Sequence, residues 1–261
     1  MNVGDMALKR RAAYIVRGLE LESGDRVLDL GCGNGYYLYL LNKLNSKLEL
    51  IGVDKDNKAL KSAKDKVGIN IKLVLSDAKK LPFKDNSFDK ILASEVIEHI
   101  EDEKKFLVEI YRLLKPKGIL ILTTCNIDYP FFWDPVNWVL QRIFKKHIKS
   151  GFWAGVWNQH LRLYDINQLQ EMLISVKFKI EDIAPLTFWC IPFNHYIVNF
   201  IAKLFYAKKL PKTLYSGMNK FECNKQPLLV KICFWFVNLW DSLNDLIIVD
   251  KGVSIFIKVT K

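Results

Sequence analysis

Between Val27 and Tyr37 the chain reads Val-Leu-Asp-Leu-Gly-Cys-Gly-Asn-Gly-Tyr-Tyr, an apolar strand pattern running into a Gly-x-Gly-x-Gly turn that opens a helical one. Closely spaced glycines admit backbone conformations closed to other residues, and they let a ligand lie against the main chain. The helix that follows offers free N–H groups at its start. Farther along, Ile-Gly-Val-Asp places Asp54 at the end of a second apolar run, where a carboxylate can accept from ribose hydroxyls. These residue types suit an adenosine-bearing cofactor. A dinucleotide fingerprint spaces its glycines as Gly-x-Gly-x-x-Gly around a pyrophosphate. Here they are Gly31, Gly33 and Gly35, and Asp29 stands inside the preceding strand, where it would repel a pyrophosphate and attract an ammonium.

The elements that must position these residues follow a βαβ rhythm. Strands are expected near 26–31, 48–53, 71–75, 88–93 and 118–123, with surface helices over Lys55–Val67 and Glu101–Lys115. This alternation gives a mostly parallel sheet. From Tyr129 the rhythm breaks. Asp134-Pro135 reads as an N-cap and first-turn proline, opening a helix whose apolar face is Val136, Val139, Leu140, Ile143 and Phe144. The α/β pattern resumes with a helix over Asp165–Val176, a strand over Phe178–Ile183 and a last strand over Val253–Val259. The expected organisation is a core over 1–126, an insertion over 127–160, core again over 161–185, an apolar helical insertion over 186–250 and a final strand over 251–261. Within the second insertion, the apolar stretches Leu186–Ala207 and Leu228–Leu239 are broken by polar residues, so neither reads as a transmembrane segment.

The motifs together resemble the class I S-adenosylmethionine-dependent methyltransferases, particularly the ubiquinone and menaquinone biosynthesis branch, over roughly residues 20–185. The resemblance is carried by Val27–Gly35, by Gly52-Val-Asp54, by Ser76-Asp77-Ala78 with Leu81-Pro82-Phe83, by Ser87-Phe-Asp89 leading to Ser94-Glu95-Val-Ile-Glu98-His99-Ile100, and by Leu114-Lys-Pro-Lys-Gly118. It implies a Rossmann-like α/β fold with a seven-stranded sheet, helices on both faces and an aromatic helical cap formed by the insertions. It implies S-adenosylmethionine as cofactor, its methionine part over Gly31, Cys32, Gly33 and Gly35 with Asp29 near the amino group. Asp54, with Lys55 beside it, falls on the ribose side, Asp77 and Ala78 on the adenine edge, and Ser94 at the end of the fourth strand. Cys32 reads as a small residue lining the loop.

Methyl transfer is an in-line displacement at a sulfonium, so alignment and exclusion of water supply much of the acceleration and a base is optional. The candidates for one are His99, after the fourth strand, and His160 in Trp-Asn-Gln-His-Leu-Arg-Leu-Tyr, each with a structural role as the alternative. Arg162 and Tyr164, in the same segment, are candidates for the acceptor pocket. Arg162 suits an anionic substrate group or a nearby carboxylate. No Asn-Pro-Pro-aromatic or Asp-Pro-Pro-aromatic segment follows the fourth strand, and His99, His147, His160 and His195 show no metal-ligand spacing. No metal is expected.

Charge and aromatic content divide the chain. Residues 1–126 carry 22 Lys and Arg against 18 Asp and Glu, with 8 aromatics; residues 127–261 carry 17 against 10, with 25 aromatics. Cations beside aromatic apolar runs, at Arg142–Lys149 and Lys203–Lys212, suit an anionic amphiphile or membrane interface better than nucleic acid. A small hydrophobic or lipid-linked acceptor with peripheral membrane contact is therefore expected. The competing readings are a polar metabolite or sugar acceptor with the insertions as a dimer interface, and a cofactor-binding accessory protein without turnover. Oligomeric state is left open. Five cysteines without Cys-x-x-Cys spacing and an N-terminus without an apolar h-region point to free thiols and a cytoplasmic setting.

Overall fold

The computed structural model describes residues 6–45, 47–78, 80–189, 193, 196, 200, 228–246 and 251–261. Seven strands form one sheet: β1 Arg26–Leu30, β2 Glu49–Asp54, β3 Lys72–Leu75, β4 Phe88–Ser94, β5 Leu114–Cys125, β6 Lys179–Leu186 and β7 Ser254–Thr260, in the order β3-β2-β1-β4-β5-β7-β6. The helices among the described residues are α1 Met6–Leu19, α2 Tyr36–Leu44, α3 Asn57–Val67, α4 Glu103–Leu113, α5 Pro135–Phe144, α6 Ile166–Ser175 and α7 Leu228–Leu246. Strands β3, β2, β1, β4 and β5 pair in parallel. Their sequences are nearly unbroken apolar runs because helices cover both faces of such a sheet. β7 runs the other way: Asn126 N–H donates to Val253 O near one end of β5, and Lys261 N–H to Gly118 O near the other.

The sheet order reverses between β1 and β4, which opens a crevice at the carboxyl ends of those two strands. The glycine turn follows β1 there. Asp56, Asp102, Asp134 and Asp165 cap α3, α4, α5 and α6, each accepting a hydrogen bond from a first-turn N–H. The expected helices and strands are present with ends shifted by a few residues. The sequence reading assigned no element to α1, whose Ala12, Ile15 and Leu19 are fully buried. Its Gly18 sits so close to the sheet that a Cβ there would lie 2.7 Å from Phe256 and 2.9 Å from Ile121.

The chain divides into two compact units, one built from Met1–Arg11, Cys125–Leu163 and Pro185–Ile255, the other from Ala12–Thr124, Tyr164–Ala184 and Phe256–Lys261. The second holds most of the sheet and the glycine turn. The first holds all seven tryptophans; beside an apolar cluster of Cys125, Tyr129, Val156, Trp157 and Leu163 it also buries a polar one. Asp134 is fully buried; its Oδ1 accepts from Asn137 N–H at 3.1 Å and from the Tyr196 hydroxyl, and its Oδ2 accepts from Asn137 Nδ2 and Val156 N–H, both at 2.9 Å. Asn137 Nδ2 also donates to the carbonyls of Trp153 and Ala154, while its Oδ1 accepts from Ile148 N–H. Gly155, at φ 54°, is required here, since a Cβ would fall 1.8 Å from Asp134 Oδ2.

The apolar face expected of α5 is only partly covered: Val136, Val139 and Leu140 are half-buried, Ile143 and Phe144 are 65% and 59% exposed, and Asp134 and Asn137 are buried. The hydrogen-bonding capacity of Asp134 is met from four directions, which an outward turn would forfeit. Replacing Asp134 by Ala leaves the buried donors of Asn137, Val156 and Tyr196 unsatisfied, so a loss of about 3 kcal/mol or more is expected. Urea unfolding followed by tryptophan fluorescence, which reports this unit alone, measures it.

Candidate functional site

The site is built on backbone contacts between β1 and β2. Gly31 N–H and Cys32 N–H both donate to Val53 O, at 2.8 and 2.9 Å, folding the turn back over the end of β2. Gly33 N–H then donates to Asp54 Oδ2 at 2.8 Å, while Asp54 Oδ1 accepts from Asp56 N–H at 2.8 Å. Both carboxylate oxygens are thereby oriented, and each keeps a lone pair for a further donor.

The three glycines serve different ends. A Cβ on Gly31 would lie 2.4 Å from Val96, and one on Gly35 2.5 Å from Val67; a Cβ on Gly33 would meet no protein atom within 4 Å. Gly31 and Gly35 are therefore packing requirements, and Gly33, at φ 52°, borders open space. Gly35 stands at the N-cap of α2 in the left-handed conformation, with no side-chain cap. Cys32 is buried, its Sγ 2.9 Å from where a Cβ on Gly52 would lie. Burial, then the charges of Asp29 and Asp54, push its thiol far above the ordinary range, so it stays neutral.

Asp29 is the outstanding group. It is 1% exposed, and its Oδ2 is buried with no hydrogen-bond partner. Burial first and the neighbouring Asp54 second push its carboxyl up to about 7. An unpartnered buried carboxylate is costly unless a donor or a cation meets it. The pair Asp29 and Asp54 thus forms a site for a ligand with a positive charge at one point and hydroxyl donors at another.

The profile of a family described as "Methyltransferase domain" matches residues 21–177. The chain belongs to that family. Relatives include an uncharacterized protein of Methanocaldococcus jannaschii, 36% identical over 131 residues, 50% of this chain and 47% of that protein. Another is a demethylmenaquinone methyltransferase of Staphylococcus aureus, 34% identical over 122 residues, 45% of this chain and 51% of that one. The chain thus spans about half the length of the curated relatives it matches. Among solved structures, a Haemonchus contortus phosphoethanolamine N-methyltransferase 2 in complex with S-adenosyl-L-methionine superposes with a TM-score of 0.60 at 20% identity, covering 96% of this chain and 52% of that one. At that identity the likeness speaks for the fold.

The other residues of this methyltransferase domain singled out from sequence are placed as follows. At the end of β4, Ser94 Oγ donates to the Tyr37 hydroxyl at 3.2 Å and lies 2.9 Å from Thr123 Oγ1, which donates to Glu95 Oε1 at 3.3 Å. Glu95 takes φ 57°, a left-handed conformation uncommon outside glycine. His99 ends the 3₁₀ turn Ile97–His99 that follows, half-buried, its N–H donating to Val96 O. Ser76 N–H donates to Asp54 O, tying the end of β3 to the end of β2; Asp77 is exposed, Ala78 half-buried and Lys55 exposed. Tyr164 is fully buried, its hydroxyl 3.3 Å from Ile97 O and 3.2 Å from Glu103 Oε1, so it holds the 97–99 turn on α4. His160 and Arg162 lie in the other unit, half-buried, with His160 N–H donating to Trp157 O.

Sequence reasoning missed the supports. Glu109 Oε1 accepts from Leu81 N–H at 2.7 Å, and Arg112 reaches Glu109, Phe83 O and Asp85. Arg112 holds the Glu109 carboxyl below its ordinary range despite partial burial. The two lie three apart on one helix, but their targets are some thirty positions away, which no local pattern reveals. Tyr37 and Thr123 were visible only as residues flanking motifs.

The raised carboxyl of Asp29 has a measurable consequence. In the unfolded chain it ionises near 3.8, in the native one near 7. Its contribution to the stability of the ligand-free protein is therefore complete below about pH 4 and falls as pH rises to about 7. Asp29→Asn is expected to flatten the pH dependence of Tm in that window, read by calorimetry at matched ionic strength.

Proposed function

We propose that the protein is an S-adenosylmethionine-dependent methyltransferase acting on a small hydrophobic or lipid-linked acceptor. The observation that carries the cofactor is the buried, unpartnered Oδ2 of Asp29 beside the oriented carboxylate of Asp54. The residues fit that group. Asp29 would meet the ammonium of its methionine part, Gly33 with the open space beside it would let it lie on the main chain, and the remaining lone pairs of Asp54 would accept from the ribose hydroxyls. Asp77 and Ala78 would face the adenine edge, with Lys55 flanking the ribose side and Ser94 closing the end of β4. When bound, S-adenosylmethionine supplies an electrophilic methyl group on a sulfonium sulfur.

What the chain's own residues contribute is alignment and dryness. The Val53 and Asp54 contacts fix the turn before any ligand arrives, and pre-positioning of this kind lowers the barrier without a base. For an acceptor oxygen or carbon of high pKa, His99 and His160 are the residues we assign to proton removal, with Arg162 for an anionic acceptor group and Tyr164 positioning the turn that carries His99.

The hydrophobic acceptor is supported by where the apolar surface lies. Among the described residues, fourteen of the nineteen exposed large apolar side chains, and all the exposed aromatic ones, belong to the tryptophan-bearing unit. At the end of α5 the exposed Ile143 and Phe144 adjoin the exposed Lys145, Lys146 and Lys149, a combination suited to an anionic lipid surface. No helix among the described residues is long and apolar enough to cross a membrane.

Two measurements test the proposal. In calorimetric titration S-adenosylmethionine is expected to bind, with affinity falling about tenfold per pH unit below the ionisation of Asp29 and at least about tenfold in Asp54→Ala. Competition by a nicotinamide dinucleotide instead would refute the cofactor assignment. With methyl-labelled cofactor and cell extract, enzyme-dependent label should partition into organic solvent and vanish in Asp54→Ala. Label confined to the aqueous phase would reject the hydrophobic acceptor while leaving methyl transfer standing.

A further inference from the structure

Helix α7, Leu228–Leu246, is mounted with its polar side toward its own unit. Lys9 Nζ donates to Asn238 Oδ1 at 2.6 Å and pairs with Asp241 at 3.3 Å. Arg10 donates through Nε to Asp241 Oδ1 at 3.1 Å, through Nη1 to Asp245 at 2.7 Å and through Nη2 to Asp241 O at 2.8 Å. Asn244 exchanges hydrogen bonds with the backbone N–H and carbonyl of Trp189. Asp241 is 6% exposed as a result.

The outward side is an apolar stripe. Leu228, Ile232, Trp235, Leu239 and Leu246 are exposed by 75, 45, 59, 54 and 77%, and Ser242 completes the series. At 100° per residue all six fall within about 40° of one line along the helix. The steps between them are four, three, four, three and four, the d and a positions of a heptad. The stripe runs about 28 Å along the helix, and in its last two turns the polar anchors Asn238, Asp241 and Asn244 hold the helix to its unit with the stripe outward.

We infer that this stripe pairs with the same stripe of a second copy of the chain, the two α7 helices packing antiparallel about a two-fold axis. The spacing reads the same in both directions, so antiparallel pairing sets Leu228 against Leu246, Trp235 against Leu239, and Ile232 against the small Ser242, large against small. A two-fold contact demands such self-complementarity. The helix carries one Lys against two Asp, the wrong balance for an anionic lipid surface. The stripe exposes on the order of 500 Å² of side chain per copy. A pair would therefore cover about 1,000 Å², the lower end for a specific, reversible contact.

The test is sedimentation equilibrium of the full chain over about 0.5–100 µM, where mass action separates the states, alongside flotation with phosphatidylcholine and phosphatidylglycerol vesicles. The inference predicts twice the 30.4 kDa chain mass at the upper end. Trp235→Lys with Leu239→Lys should be monomeric throughout, with unchanged far-UV circular dichroism and unchanged S-adenosylmethionine affinity. Should that variant misfold, Ser242→Lys, at a position already polar and exposed, is expected to raise the dimer dissociation constant at least about tenfold. A wild-type monomer across the range, a dimer indifferent to both variants, or vesicle binding that the stripe substitutions abolish without any dimer to lose, would each overturn the inference. Cofactor affinity is read separately, so failure here leaves the methyltransferase reading untouched.

Discussion

The hydrogen bond from Gly33 N–H to Asp54 Oδ2 is the contact on which the site depends. It joins the middle of the glycine turn to the end of the neighbouring strand, and with the two N–H groups held by Val53 O it leaves that turn little freedom. The same bond aims the Asp54 carboxylate, whose other oxygen is held by the Asp56 N–H. Position and electrostatics thus come from one arrangement. Because β1 and β2 are parallel neighbours with Asp29 opposite Gly52, the two acids must lie near each other, and their mutual repulsion is built into the register. Burial without a partner raises the cost further at Asp29. A positive charge beside Asp29 would offset both penalties at once.

Around this centre the supports come from distant parts of the chain. The Leu81–Phe83 segment is fastened by Glu109 and Arg112 on α4, and the 97–99 turn by Tyr164. The hydroxyls of Ser94, Thr123 and Tyr37 join the ends of β4 and β5 to the first turn of α2. The left-handed Glu95 sits at the point where β4 gives way to that network. Backbone strain beside a fully bonded polar cluster is tolerable because the cluster over-determines the conformation.

The parallel core was legible in the sequence because each of its elements is locally consistent. Apolar runs are buried on both faces, aspartates stand where helices begin, and glycines stand where φ must be positive. The places of Asp29 inside β1 and of Asp54 at the end of β2 follow for the same reason. What could not be read was anything decided by long-range partners. α1 carries enough Arg and Lys to mask its period, and its burial depends on Phe256 and Ile121. The roles of Glu109, Arg112 and Tyr164 exist only once segments far apart in sequence have met. The burial of Asp134 and Asn137 at the start of α5 belongs with these, since hydrophobic spacing names the inward face only where no buried polar group competes for it.

That exception is the organising fact of the tryptophan-bearing unit. Its interior is fixed by Asp134, with four donors, and by Asn137, with both ends of its amide engaged. On the evidence of α5 and α7, inward-facing polar groups are matched by outward-facing apolar ones. Burying an acid in this way sacrifices stability that a hydrophobic centre would provide, and its advantage lies in geometry, since a fully satisfied polar cluster admits one arrangement where interchangeable aliphatic side chains admit several. A unit held together by directional bonds can leave its apolar surface outside without collapsing on itself. The buried polar cluster thus fixes one arrangement and the apolar cluster of Tyr129, Val156, Trp157 and Leu163 fills the space beside it, so the unit holds its shape while other apolar side chains stay at its surface.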